Sequence, residues 1–455
     1  MAGTSIKKAG IDPTTSATTG TFSFWVKLHN ARTDGNDYFL FSTYDDGNSR
    51  MHIKIDGNGK LDINEKISSS VSINLITNDI YRDVTGWYHF VVAIDTTQAT
   101  NSNRVKVYVN GSQITDFGTE VYPSQNEDIH CLQGNKIHYL GCYGGNVNSA
   151  NYCLDGSMSH CHFADGQQYA ASVFGETDAT TGQWKIKTSP TVTYGNNGWF
   201  IFKDNSSLTN QAGNSAGNFT LDTGTITTSK DCPSNIIATC NNLVQPDLGN
   251  GTFTATNGAN KFTTNITSKS IAGYSTLGAT KGKYYAECKY ISGASAIFGV
   301  VGDVFTHIYT SFAISDADWG VKKGTTAYYN GSSNGSWHGD WSPNDILGCA
   351  LDLDTGTGRV TFSKNGQWCD GSGNWDEANP TAWLTLVDGR TYFFAAGDDS
   401  TSQNAAWEFN FGNGYFGTTA VSSAQNPGAG DTDAIFEYTV PTGFTALSTK
   451  GMNSF

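Results

Sequence analysis

Residues 345–366, DILGCALDLDTGTGRVTFSKNG, constrain the fold more than any other stretch. Leu347, Cys349, Leu351 and Leu353 alternate with Gly348, Ala350, Asp352 and Asp354. A period of 2 with one apolar face is a strand. Thr355-Gly356-Thr357-Gly358 supplies glycines where the backbone must turn. Val360 and Phe362 then alternate with Thr361 and Ser363 up to Lys364-Asn365-Gly366, and Asn-Gly is a strong hairpin-turn signal. The same device occurs earlier, where WYHFVVAID (87–95) is followed by RVKVYVNG (104–111). Two core hairpins imply two β-sheet units.

The chain of 455 residues has room for about two to four domains. Its 52 glycines, 11 Trp, 21 Tyr and 25 Phe suit turn-rich sandwiches. Charged residues are only 15%, against a usual ~25%. The net charge of −14, without a Lys/Arg cluster, argues against a nucleic-acid partner. The first 21 residues lack the apolar core of a secretory signal, and no run reaches the ~18 apolar residues of a membrane span. Nine cysteines at irregular spacing read as free thiols, with Cys349 buried, and imply synthesis in a reducing cytosol. Cys232 and Cys240 could close a small loop, but free thiols are the favoured reading there too.

Along the chain, residues 1–20 are polar and read as an extended arm. TFSFWVKLH (21–29), YFLFSTY (38–44), MHIKID (51–56), the 87–111 pair, 136–145, 154–166, 198–204 and 217–228 read as strands bounded by turns. Helical periodicity is absent. Short strands at this spacing argue a two-sheet antiparallel sandwich.

TFSFWVK, then WYHFVVAIDTTQAT with RVKVYVNG, then LDGSMSHCHFADGQQY and FGE, resemble in that order the concanavalin A-like lectin/laminin G-like domain. The version they resemble is found in structural proteins of tailed phages, marine ones especially. KGKYYAECKY, IFGVVGD, WGVKKGTTAYYNG, the 345–366 hairpin and WEFNFG similarly resemble the SPRY domain, a compact sandwich used for binding. The resemblance implies an all-β chain of two tandem antiparallel β-sandwiches, a concanavalin A-like jelly roll and then a SPRY-like sandwich. The boundaries that go with it are an arm at 1–20, the first sandwich at 21–240, the second at 241–420 and a tail at 421–455. FEYTVPTGFTALSTKGM resembles the linker after SPRY in longer phage proteins, where further modules or a trimerising stem follow.

Some lectin-fold relatives are glucanases with Glu-x-Asp-x-x-Glu on one strand, a carboxylate pair for acid and nucleophile. That spacing is absent, and Asp352 and Asp354 sit where the SPRY family uses them structurally, so no catalytic residue is assigned. Laminin G-like and pentraxin domains often bind Ca²⁺ through loop oxygens. The candidates here are Asp45, Asp46, Asp155 and Asp165. Glycine follows each closely, and turn formation is the commoner role of such pairs. No cofactor is required. His160, Cys161 and His162, with Cys153 nearby, suggest zinc, but alternation turns Cys161 away from the two histidines. His89 fits a strand position. Tyr328, Tyr329, Trp337, His338 and Trp341 form an aromatic cluster in a Gly/Ser/Asn-rich segment and are the candidate carbohydrate-binding residues. Trp319 reads as core, while Trp337 and Trp341 fit core and surface equally well.

The resulting expectation is a virion structural protein, a tail-fibre or capsid-surface adhesin for host surface glycans, located at the virion surface and made in the host cytoplasm. Its partners would be other virion proteins and copies of itself, with no nucleic acid and no membrane insertion. The rivals are a purely structural capsid decoration or fibre spacer, a glycan depolymerase, and a cellular lectin. One or both termini, the polar arm and the tail with its apolar residues Phe444, Leu447, Met452 and Phe455, are expected to dock on another virion subunit or a symmetry mate, with folding intact when either is deleted.

Overall fold

The computed structural model describes residues 3–30, 35–203, 207–241, 251–266, 271–303, 318–329, 332–398 and 404–455. They form two compact units, 1–228 and 229–455. Both are antiparallel sandwiches, and the one α-helical element among the described residues is Thr449–Met452. The units meet at 228/229, earlier than the sequence boundary of 240.

In the first unit an eight-stranded sheet runs in the order Phe117–Val121, Ser70–Thr77, Leu61–Ile67, Ser49–Ile55, Tyr38–Asp46, Ile137–Leu140, Ser5–Ala9, Thr220–Thr223. A six-stranded sheet runs Trp199–Ile201, Gly156–Asp165, Thr19–Leu28, Tyr88–Asp95, Val105–Val109, Ser112–Ile114. Phe22, Phe24 and Val26 point between the sheets and meet Phe41, Phe163 and Trp199. The opposite face of this strand is not open. Trp25 and His89 stack there at 4.6 Å beneath Trp184, with Val91 under Phe174. Asn110 and Gly111 turn the chain from Val105–Val109 into Ser112–Ile114 at φ 48° and 84°, as Asn-Gly predicts.

The expected N-terminal arm is instead part of the sheet. Ile6 to Ala9 pair with Leu140 to Ile137, and Ile6 and Lys7 with Leu221 and Thr220. Ile6 is buried, and Lys7 pairs with Asp222 at 2.6 Å. Further on, Asp165 is fully buried and accepts from Thr14 Oγ1 at 3.0 Å, from Thr15 N–H at 2.8 Å and from Ser16 N–H at 3.1 Å.

In the second unit Ile346–Asp352 and Arg359–Lys364 pair from Leu347↔Lys364 to Asp352↔Arg359. Leu347, Cys349, Leu351, Val360 and Phe362 are buried in the core with Phe298, Trp407 and Phe409, which is the predicted hairpin. Asn365 and Gly366 turn at φ 50° and 81°. Asp352 accepts from Arg359 Nε at 2.9 Å and Thr355 Oγ1 at 2.8 Å, and Asp354 from Gly282 N–H at 2.8 Å, so both are structural. This sheet also contains Lys283–Ser292 and Ala406–Asn410, and it faces a six-stranded sheet that includes Ala296–Gly302 and Tyr392–Asp398.

The C-terminal segment is likewise built in. Thr445–Ala446 pairs in parallel with Tyr284 and Tyr285, Phe444 and Leu447 are buried, and Met452 packs on the core. Phe455 stays 37% exposed, with its ring 5.6 Å from Tyr284. The arm and the tail are therefore not loose segments: Ser5–Ala9 is an interior strand of its sheet, and Phe444 and Leu447, expected to be left partly exposed, are buried in their own unit.

The buried Glu65 accepts the His130 N–H at 2.6 Å, while its other oxygen has no hydrogen-bond partner. Burial pushes its pKa from 4.5 up to about 8. A carboxyl raised in the folded state contributes stability below its unfolded pKa, and that contribution is lost as pH rises through the folded value. The first unit should therefore lose about 4 kcal/mol between pH 5 and 8, at ~1.4 kcal/mol per pH unit. Glu65→Gln should flatten this slope in urea denaturation. An equally steep slope in the variant would exclude Glu65 as its source.

Candidate functional site

The outer face of the eight-stranded sheet follows from alternation. Met51, Ile53 and Ile55 point into the core, which sends Arg50, His52 and Lys54 outward. On the next strand Leu61 and Ile63 point inward, and Asp62, Asn64 and Lys66 outward. Register sets Arg50 opposite Lys66, His52 opposite Asn64 and Lys54 opposite Asp62. On the other side Tyr44 lies opposite Arg50, and Ser42 opposite His52.

A loop lies over this face. Cys142 and Cys153, 11 residues apart, form a disulfide, so the reading of all nine cysteines as free thiols fails for these two. Cys232 and Cys240 are both free. Within the loop the Tyr143 N–H donates to the Tyr152 carbonyl at 2.9 Å. The Gly144 N–H donates to Ser42 Oγ at 2.9 Å, and the Asp37 N–H to the Asn151 carbonyl at 3.0 Å. Gly3 packs so closely on the disulfide that a Cβ there would lie 2.2 Å from Cys153 Sγ.

The loop brings its two tyrosines to the sheet. The Tyr143 ring lies 4.9 Å from Phe39, 5.4 Å from Tyr44, 6.5 Å from His52 and 6.4 Å from Tyr152. Tyr152 is 39% exposed, Tyr143 and Tyr44 are half-buried, and Asn146, Asn148 and Asn151 are exposed at the rim. Lys54 is bound to Asp37 at 2.8 Å and lies 3.4 Å from Asp62. His52 is 6% exposed, with Nε2 3.7 Å from Asp62 and Nδ1 without a hydrogen-bond partner. Burial lowers its pKa, and the nearby Asp62 offsets this only in part. Burial also pushes Asp62 up, but His52 and Lys54 outweigh it and hold that carboxyl below its usual range. Half-open tyrosine faces beside amides and a guanidinium suit a sugar ring, with C–H faces on the rings and hydroxyls on the polar rim.

The four aspartates proposed for Ca²⁺ are engaged separately. Asp45 accepts from His130 Nε2 at 2.9 Å and Lys136 Nζ at 2.5 Å. Burial pushes the Asp45 pKa up, but these two donors hold it low. Asp46 accepts the N–H groups of Asn48 and Ser49 at 2.7 and 2.9 Å, which is turn chemistry. Asp155 accepts from Asn30 Nδ2, and Asp165 holds the 14–16 segment. Among the described residues no group of three or more His, Cys, Asp or Glu is placed to hold a metal ion.

The second-unit aromatics do not form one open surface. Trp337, His338 and Trp341 are buried at 8%, 0% and 1% exposure. Trp337 packs edge-on to Phe362, and His338 stacks on Trp341 at 5.3 Å. Tyr329 stacks on Trp319 at 4.4 Å, while Tyr328 lies under Lys322 Nζ at 5.2 Å. Trp319 is core, as expected. The segment folds inward because these rings complete the sandwich interior.

His89 stands 2.9 Å from Ser23 Oγ, but the pair is not an activated nucleophile. Trp184 Nε1–H donates to His89 Nδ1 at 3.0 Å, so the neutral ring carries its proton on Nε2 and donates to Ser23. Burial lowers the His89 pKa to about 3. His162 Nδ1 meets the Tyr194 hydroxyl at 2.7 Å and His160 Nδ1 meets Ser159 Oγ at 2.8 Å, while Cys161 is in the core.

A disulfide-clamped loop thus carries two tyrosines over a polar sheet face of a two-sheet antiparallel sandwich. Residues 3–141 match the family model of the concanavalin A-like lectin/glucanases superfamily, in agreement with the two-sheet antiparallel fold of the first unit. No curated protein matches the chain. Similar solved structures include the SPRY domain of human HERC1, with TM-score 0.28 and 16% identity over 34% of this chain and 91% of that one. A second human SPRY domain has TM-score 0.25 and 13% identity over 33% and 91%. The native heptameric SAP-like pentraxin from Limulus polyphemus has TM-score 0.29 and 13% identity over 50% and 89%. At these scores none of them bears on function, and the architecture stands on its own strand order.

Proposed function

We propose that this chain is a carbohydrate-binding adhesin of a virion surface, acting by binding rather than hydrolysis. The observation that carries the binding part is the pair Tyr143 and Tyr152, held by the Cys142–Cys153 disulfide above Arg50, His52 and Asn64. The virion setting rests on the sequence resemblance to phage structural proteins. A single shallow sugar site is weak, so copies of the chain would act together. Contacts with other virion proteins would use the sandwich faces.

Tyr143→Ala and Tyr152→Ala should each weaken glycan binding about tenfold in calorimetry, near ~1.4 kcal/mol per stacked ring. Trp337→Ala should lower stability and leave the affinity of the folded protein unchanged. Wild-type affinity in both tyrosine variants would remove this site. Release of reducing ends from host envelope glycans would overturn the binding-only reading, and immuno-electron microscopy of particles tests the location.

A further inference from the structure

The polar groups of the tyrosine-loop site are unevenly paired. Lys54 has two carboxylates, Asp37 and Asp62. Arg50 and Lys66 lie directly opposite each other on neighbouring strands, on the same outward face, and among the described residues neither meets a carboxylate. Like charges directly opposite in a sheet are destabilising. This pair occurs in a chain of net charge −14, where acidic partners are plentiful. Arg50 Nε is buried with no hydrogen-bond partner, one terminal nitrogen makes a 3.3 Å contact to the carbonyl of Gly47 in its own turn, and the guanidinium also bonds the Tyr143 hydroxyl.

Arg50 also adjoins the rings. Tyr44 is the cross-strand neighbour of Arg50 and lies 5.4 Å from Tyr143. Arg50 also acts on the Tyr143 phenol, where burial raises the pKa and the guanidinium pulls it back. His52, two residues along from Arg50 on the same face, is 6% exposed, with Nε2 3.7 Å from Asp62 and Nδ1 without a hydrogen-bond partner. A planar guanidinium with an ammonium beside it matches a carboxylate or sulfate oxygen pair.

Resting on the glycan-binding reading above, we infer that this site takes an acidic saccharide, with its carboxylate or sulfate ester seated between Arg50 and Lys66 and its ring against Tyr143 and Tyr152. The anion removes the repulsion between the two cations, so discrimination against neutral sugars is built into the sheet register.

The test uses the full chain against alginate, dextran sulfate and unmodified dextran, with biolayer interferometry at low and moderate salt. Wild type should bind at least one acidic polymer and bind dextran at least tenfold more weakly, with affinity falling as salt rises. Arg50→Gln with Lys66→Gln should lose at least tenfold on the acidic polymer, and Lys60→Gln with Lys106→Gln, an equal charge change elsewhere, should not. Binding to alginate alone assigns a carboxylate, to dextran sulfate alone a sulfate, and to both a general anion seat. Acid binding that is equal in both double variants, or untouched by Tyr143→Ala, is nonspecific polyelectrolyte capture and overturns the inference. Tyrosine-dependent binding of dextran with no preference for acid overturns it while leaving the glycan-binding reading standing. No binding to any glycan in calorimetry or on a glycan array overturns both.

Discussion

Removing residues 445–455 is expected to unfold the second unit. The deletion takes away the parallel Thr445–Ala446 strand beside Tyr284 and Tyr285 and the fully buried Leu447. It also strips Asp431, which is fully buried. Ser448 Oγ donates to its carboxylate at 2.7 Å, and Thr445 Oγ1 accepts its N–H at 2.7 Å. Loss of a buried leucine costs about 2–5 kcal/mol, and a buried carboxylate that loses a donor costs about 1–3 kcal/mol more. With the strand pairing, the total approaches the 5–15 kcal/mol that holds an ordinary domain together. Near-ultraviolet circular dichroism and urea titration read the outcome. Phe455→Ala, at a 37% exposed ring, should change little. A truncated chain with the wild-type spectrum and midpoint would show that the segment is dispensable.

Asp165→Ala should be nearly as damaging to the first unit. The buried carboxylate accepts from Thr14 Oγ1 and from the N–H groups of Thr15, Ser16 and Asn197, the last at 3.0 Å. Hydrogen bonds to a charged group contribute about 1.5–3 kcal/mol each, and the orphaned donors add their own desolvation cost. A loss of roughly 3–5 kcal/mol is expected. Limited proteolysis should open first within residues 10–20. EDTA should leave the wild-type Tm unchanged, because the oxygens of Asp165 are already taken by donors. A Ca²⁺-induced rise in Tm that Asp165→Ala abolishes would return this residue to the role of a metal ligand.

How far the sequence could be read depended on where the information lay. The 346–364 hairpin was legible because its alternation and its Gly-rich 355–358 turn are local, and the buried Leu347, Cys349, Leu351, Val360 and Phe362 follow directly. The Ser5–Ala9 strand was not. Its single apolar anchor, Ile6, gives no period, and its partners lie more than a hundred residues away in sequence, so only tertiary structure identifies it. Lys8 shows how strongly that context overrides local composition. It is 4% exposed, and burial lowers its pKa to about 8.

The candidate site was illegible for a related reason. Arg50, His52 and Lys66 alternate as any solvent face does, and only the overlying loop makes them a site. One local signal existed. In CYGGNVNSANYC, residues 142–153, each cysteine has a tyrosine directly beside it on the inner side. The 328–341 aromatics misled because a Gly/Ser/Asn-rich setting suggests exposure, whereas Trp337 and Trp341 fill the interior.

Each sandwich is closed by its own two ends, and this sets the timing of folding. In the first unit Ile6 pairs with Leu221, and in the second Ile237 bridges to Ser448. Contacts spanning more than two hundred residues must form before either structure is complete, and loop closure of that length is entropically slow to reward. On the ribosome, Ser5–Ala9, beside Ile137–Leu140, is the open edge of the eight-stranded sheet until Thr220–Thr223 has emerged. Nascent chains shorter than about 225 residues therefore expose unpaired strand edges, the state most open to aggregation and to chaperone capture.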